Sequence, residues 1–233
     1  MQVKAQKTIL AGEEITARYG GLNIGQPRRT QLLFDHWRFS CNCARCSDPT
    51  ELGTYNSALL CQDRQCPGYL VQHSALLWRC QTCADTQPLD TILKIIRDAE
   101  IFIKNNVGCD VDCDVLERTI WSLEKILHSH HYLLAQIKLV LLTKYSFVAR
   151  MSTPMLERVV QLGEELVSLT IALDSVYSPV VNTILKILIP GWSRLTQTHL
   201  ISSKLSQHQL MTRKQKTYRY VDWLLQCNKM KKS

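Results

Sequence analysis

The chain has 233 residues, 45% of them hydrophobic and 21% charged, with a formal net charge of +8. This composition excludes collagen-like, disordered and coiled-coil classes and leaves a globular chain long enough for one large domain or two small ones. The longest apolar run, Val180 to Ile189, is interrupted by Asn182, Thr183 and Lys186, and it falls short of the roughly 20 residues needed to span a bilayer.

In chain order, Met1 to Tyr19 reads as short strands. Val3, Ala5 and Thr8 to Leu10 suit β structure, Gly12 supplies a turn, and Glu13 to Tyr19 alternates. The opening, Met1 to Ala11, is polar and alternating, unlike a secretory leader. Gly20 to Pro27 is a glycine-containing loop. Arg28 to Phe39 is a short amphipathic helix, with Leu32, Leu33 and Trp37 on its apolar side, running into Cys41.

Cysteine carries the strongest signal. Seven of the ten cysteines lie between Cys41 and Cys83: Cys41, Cys43 and Cys46, then Cys61 and Cys66, then Cys80 and Cys83. Since no secretory leader is expected, such clusters read as zinc knuckles in a reducing compartment rather than as disulfides. The segment from Cys41 to Gln87 is loop-rich and poor in aliphatic residues, and a segment of this kind usually needs a metal to fold. Cys61, Cys66, Cys80 and Cys83 form two close pairs that can face one tetrahedral zinc; the alternative is a set of buried free thiols. Cys41, Cys43 and Cys46 supply three ligands, with no fourth at short spacing. A catalytic zinc with an open position would also show three, but no positioned base stands nearby in sequence, so a fourth ligand from elsewhere is expected.

From Pro88 onward the period becomes 3.6. Ile92, Ile95, Ile96, Ala99 and Phe102 form one helical face; Leu116, Thr119, Ile120, Leu123, Ile126 and Leu127 form the next. Tyr132 to Val148 is apolar around much of its circumference and is expected to be central. Thr153 is expected to cap a helix with Pro154 at its first position. Pro179 starts another helix, and Pro190-Gly191 is expected to break it. Six or seven antiparallel helices with short loops fit stacked helical hairpins. Cys109 and Cys113 read as an acidic turn or, less simply, a third metal site. His128, His130 and His131 lie at a helix break, where charge would complement a helix C-terminus. Seven basic residues between Leu205 and Ser233 face one acid, Asp222, so most of the net charge belongs to the C-terminal segment. A solvated terminal helix is its usual meaning; phosphate binding by Arg213 to Arg219 with the ribbon is the alternative.

These residues also carry a family resemblance. Ala11-Gly12-Glu13-Glu14-Ile15-Thr16-Ala17-Arg18-Tyr19, then Arg29 and Leu33, then Trp37 through Cys46, resemble the end of a SET domain and its post-SET zinc motif. The pattern is that of the SMYD (SET and MYND) protein-lysine methyltransferases. Asp48 to Thr54 and the Cys61/66/80/83 ribbon resemble the arthropod SmydA branch. The resemblance implies a mainly α fold: a remnant of SET-domain strands, a zinc-bound post-SET and ribbon segment, then a tetratricopeptide-like array of antiparallel helices. It divides the chain at 1–40 (end of SET), 41–88 (post-SET and ribbon), 89–210 (helical domain) and 211–233 (basic helix or tail).

It also implies roles. Tyr19 matches the tyrosine beside the methyl-transfer channel, Phe39 the aromatic packed over S-adenosylmethionine, and Trp37 an aromatic of the lysine channel. Cys41, Cys43 and Cys46 match three post-SET zinc ligands, the family's fourth being a cysteine of the SET core that has no counterpart here. The chain is therefore expected to be the C-terminal portion of a SET-domain lysine methyltransferase, inactive by itself, with zinc bound and S-adenosylmethionine bound only when a full SET domain is present. The competing expectation is a non-catalytic, zinc-stabilised interaction module with a helical-repeat groove. Either way the partner is a protein or peptide rather than nucleic acid or membrane, the chain a monomer, and the location cytoplasmic or nuclear.

Overall fold

The computed structural model describes residues 9–21, 24–108, 110–174, 178–201 and 207–232. Helix α1 spans Gln26–Trp37, with Pro27 in its first turn, where a missing N–H costs nothing. It ends at Arg38, which adopts a left-handed conformation (φ 57°) and donates its N–H to Phe34 O at 3.0 Å. One turn of helix, α2 (Ala44–Ser47), follows. Four short strands, β1 (Leu59–Leu60), β2 (Tyr69–Gln72), β3 (Leu77–Cys80) and β4 (Thr86–Pro88), form an antiparallel meander in sequence order. Leu59 pairs with Leu70, Leu70 with Cys80, and Trp78 with Gln87.

Among the described residues six helices follow: α3 (Leu89–Asn106), α4 (Cys113–Leu123), α5 (Tyr132–Ser146), α6 (Thr153–Leu173), α7 (Pro179–Ile201) and α8 (Gln207–Lys232). Successive helices pack on one another from α3 to α8, and α5 also meets α7. Helix α5 buries residues over most of its circumference, including Leu134, Ile137, Leu141 and Leu142, and leaves a narrow exposed stripe at Gln136 and Val140, as expected of a central helix. Its Lys138 is buried too. The ammonium reaches Glu165 at 2.6 Å, Glu124 at 3.1 Å and the Ser129 carbonyl at 2.9 Å, which offsets the cost of removing a charge from water.

The sheet is not a separate layer. Leu59, Leu70, Trp78 and Cys80 belong to the same buried cluster as Ile92, Leu116, Ile120, Leu127 and Leu134. The backbone stitches the two parts together: Leu60 N–H donates to Ile126 O at 2.8 Å, His128 N–H to Ala58 O at 3.0 Å, and Tyr132 N–H to Asn56 O at 2.9 Å. No helix among the described residues is long and apolar enough to cross a membrane.

Four local expectations are corrected. Residues 9–19 form a turn and extended chain with no strand among the described residues; the part of that expectation on Met1 to Thr8 lies outside them. Ile15 is strongly exposed, so alternation alone, without a partner strand, produces no ladder. The N-cap position of α6 is Ser152, whose side chain makes no capping bond, rather than Thr153, which is the helix's first residue. Helix α7 runs straight through Pro190. Gly191 is buried where a Cβ would lie 3.0 Å from Val159, and Leu188, Trp192 and Leu195 are buried on either side of the proline; this packing outweighs the one backbone bond that proline removes. Finally, His131 sits at the start of α5 rather than at a helix C-terminus. Its Nδ1 accepts the Leu133 N–H at 3.2 Å, so the ring caps the helix as a neutral acceptor. Burial pushes its pKa down to about 3, and that of neighbouring His128 to about 4.

Candidate metal centres and the aromatic cleft

The sheet brings Cys61, Cys66, Cys80 and Cys83 together. Their four sulfurs all lie within 4.8 Å of one another, with Cys61 and Cys83 3.5 Å apart and Cys66 and Cys80 3.7 Å apart. Zn–S bonds of about 2.3 Å in a tetrahedron require sulfurs about 3.8 Å apart, so the four fit zinc. Two backbone N–H groups point at the sulfurs: Gly68 to Cys66 Sγ and Thr82 to Cys80 Sγ, both at 3.4 Å. Such bonds favour the thiolate. Against the cost of burial, the N–H groups of Cys83 and Thr82 pull the Cys80 thiol down to about 7, whereas burial and the neighbouring thiols push Cys61 up to about 12. One sulfur is thus ready to ionise, and the others would lose their protons to the metal. Gly68 is needed for closeness: a Cβ there would meet Thr82 Oγ1 at 2.5 Å and Cys80 Sγ at 2.7 Å.

Cys41, Cys43 and Cys46 form a second cluster, their sulfurs also within 4.8 Å of one another. Cys43 is the N-cap of α2, and Cys46 N–H returns to Cys43 O at 2.9 Å, a turn that aims both side chains the same way. The donor set fits zinc with one position left open. No fourth His, Cys, Asp or Glu joins the cluster among the described residues. Cys113 belongs to neither cluster, while Cys109 and the Cys227 side chain lie outside the described residues.

Sequence reasoning missed the residue that holds this cluster. Glu51 is fully buried. One carboxylate oxygen accepts from Arg29 Nη1 and from Arg45 Nε, each at 2.9 Å. The other accepts from the Gln26 N–H at the start of α1 and from the Ser57 hydroxyl. Arg29 and Arg45 both also reach the Ile24 carbonyl, at 2.9 and 3.2 Å, and Arg29 Nε donates to Cys46 Sγ at 3.4 Å. The loop bends to place Glu51 by taking left-handed backbone at Glu51, Leu52, Gly53 and Tyr55. Strain of this kind persists only where surrounding contacts enforce it.

Tyr19, Trp37 and Phe39, distant in sequence, meet in space. Tyr19 lies edge-on to both Trp37 and Phe39, with ring centroids 5.5 Å apart in each pair. Arg18, beside Tyr19, ion-pairs with Asp174 at the end of α6 and anchors this segment to the helices. A cleft of about 520 Å3 runs along the cluster, lined by Tyr19, Ile24, Arg29, Leu33, His36 and Trp37 among others. The three rings remain open to solvent, at 53%, 47% and 37% exposure.

The architecture is thus a cysteine-rich, metal-fitted segment joined to a stack of helices through one core. No family model matches the chain. Two curated proteins of Drosophila melanogaster do resemble it. The SET domain-containing protein SmydA-8, isoform B, is 36% identical over 142 residues, which covers 59% of this chain and 32% of the relative. Isoform A is 34% identical over 142 residues, covering 59% of this chain and 30% of its own length. The chain spans about a third of the length of these relatives. It is a relative of the SMYD-type SmydA proteins.

Proposed function

We propose that the chain is the C-terminal part of a SET-domain, S-adenosylmethionine-dependent protein-lysine methyltransferase. The observation that carries this reading is the convergence of Tyr19 on Trp37 and Phe39, beside a cleft and directly before a three-cysteine cluster. In this reading the rings form one wall of the methyl-transfer site. An aromatic wall attracts an alkylammonium through cation–π contact, and the Tyr19 hydroxyl orients the substrate amine. S-adenosylmethionine would supply the activated methyl group, and Phe39 would pack against it. Rate would come from alignment and exclusion of water, which half-exposed rings do not achieve alone. The described cleft lining offers Tyr, Gly, Ile, Arg, Leu, His and Trp, with no carboxylate or amide side chain for the ribose hydroxyls. The chain by itself is therefore inactive in this account. The helices would form a tetratricopeptide-like array closing one side of the cleft, and the enzyme would act on protein substrates in the cytoplasm or nucleus.

A second reading, a non-catalytic interaction module, is favoured by another groove of about 540 Å3. It lies where Cys61 and Arg64 of the ribbon face Ile95, Asp98 and Phe102 of α3, with Lys125 and Ile126 beyond α4. Nucleic-acid binding by the basic helix gains less support: Lys216 pairs with Glu164 at 3.1 Å, and Arg213 stacks over Trp192 at 5.3 Å.

Complementation, with S-adenosylmethionine calorimetry of the chain alone as its baseline, separates the first two readings. The chain alone should show no binding. Supplied with the remaining SET half of a SmydA protein, it should restore methyl transfer that Tyr19→Phe and Phe39→Ala impair. Complementation insensitive to both substitutions would leave the interaction reading.

A further inference from the structure

The buried network around Glu51 is unbalanced in charge. Two guanidinium groups, Arg29 and Arg45, converge on one carboxylate, with side-chain exposures of 9%, 12% and 1%. A lone buried cation is costly unless a counter-charge lies against it. The surplus positive charge lies on the side of the cysteine cluster, where Arg29 Nε meets Cys46 Sγ at 3.4 Å. Arg29 Nη2 is also buried, without a hydrogen-bond partner among the described residues. With three neutral thiols, the Arg29 and Arg45 guanidinium groups would share the single Glu51 carboxylate. Three thiolates on a divalent metal carry a net negative charge and would compensate the surplus.

We infer that Arg29 is the outer-shell positioning residue of the Cys41/Cys43/Cys46 metal centre, with Glu51 fixing its guanidinium. Arg29 holds Cys46 Sγ in the ligating rotamer by its Nε–H bond and supplies the charge that the metal–thiolate group demands. Glu51 holds Arg29 Nη1 at 2.9 Å and, through the Gln26 N–H, fixes the start of the helix on which Arg29 stands. Groups that orient a metal ligand in this way typically change metal affinity about 10–100-fold when removed. The inference rests on the three-cysteine cluster binding a metal and is independent of methyl transfer.

The test is a cobalt(II) titration of the reduced, metal-free full chain, read by thiolate-to-cobalt charge-transfer absorption, with Cys41→Ser as the reference lacking this centre. The first equivalent should fill the four-cysteine centre and the second the three-cysteine centre. Arg29→Gln should weaken the second equivalent by about 10–100-fold and shift its absorption, while leaving the first unchanged, which also reports that the chain is folded. Arg29→Lys keeps the charge but not the fixed Nε–H, and should recover part of the loss. The inference is overturned if the second equivalent binds Arg29→Gln within about twofold of the parent, if both variants lose both equivalents alike, or if the parent chain takes no second equivalent.

Discussion

Leu59 of the cysteine-rich sheet and Leu127, just after α4, form an isolated antiparallel bridge in the middle of the core, with both side chains almost completely buried. The metal-fitted segment and the helices therefore share their buried surface, and a metal bound there would contribute to the folding of the helices through it.

The first prediction follows from that sharing. Stripping metal from Cys61, Cys66, Cys80 and Cys83 should lower the thermal midpoint of the helices together with the sheet, in a single transition. Binding energy at a site that exists only in the folded chain is folding energy. Far-UV circular dichroism, dominated by helix, would be followed with and without a strong chelator. An unchanged helical melt would show that the ribbon folds apart from the helices.

Gly68→Ala should weaken zinc at the four-cysteine centre. The added Cβ would lie 2.7 Å from Cys80 Sγ and 2.5 Å from Thr82 Oγ1. The hydroxyl can swing aside, but a sulfur held by a metal cannot. Overpacking of this kind costs about 1–3 kcal/mol, or roughly tenfold or more in affinity, measurable by competition with a chromophoric chelator. Ala at position 108, where a Cβ meets nothing within 4 Å, is the control and should leave affinity unchanged.

Stability should fall on mild acidification. His131 and His128 are held at about 3 and about 4 when folded, against about 6.5 in an unfolded chain. The unfolded state thus takes up protons first as pH drops below about 6.5, so the stability they contribute is full above that value and is lost as pH falls toward their folded values. For His131, completely buried, the loss at pH 5 is about 2 kcal/mol; for His128 it is smaller. Urea unfolding at pH 7 and pH 5, with zinc saturating at both, measures this. His131→Gln keeps a side-chain acceptor for the Leu133 N–H but cannot titrate, so it should show a shallower pH dependence. A variant with the full slope would mean that other groups set it.

The cysteine centres were legible in the sequence because ligand spacing is a local property, and close pairs in a core-poor segment need little tertiary information. The central position of α5 was legible for a similar reason: apolar residues over much of its circumference leave it only a narrow solvent stripe, at Gln136 and Val140. Glu51 was not legible. Its partners Arg29 and Arg45 lie 22 and 6 residues away, and its left-handed loop carries only one glycine, Gly53, to announce it. Pro190 misled because a local rule met a long-range fact, the burial of Gly191 and Trp192 beneath an otherwise intact helix. Residues 9–19 misled because alternation marks a strand only where a partner completes the ladder.

The central claim is that four sulfurs make a closed zinc site while three make an open one, and elemental analysis after mild chelation tests it most directly. The account predicts about one zinc per chain, following four-ligand tetrahedral chemistry, retained in Cys41→Ser and lost in Cys80→Ser. Two equally resistant zinc ions per chain, or one that survives Cys80→Ser and disappears with Cys41→Ser, would contradict it.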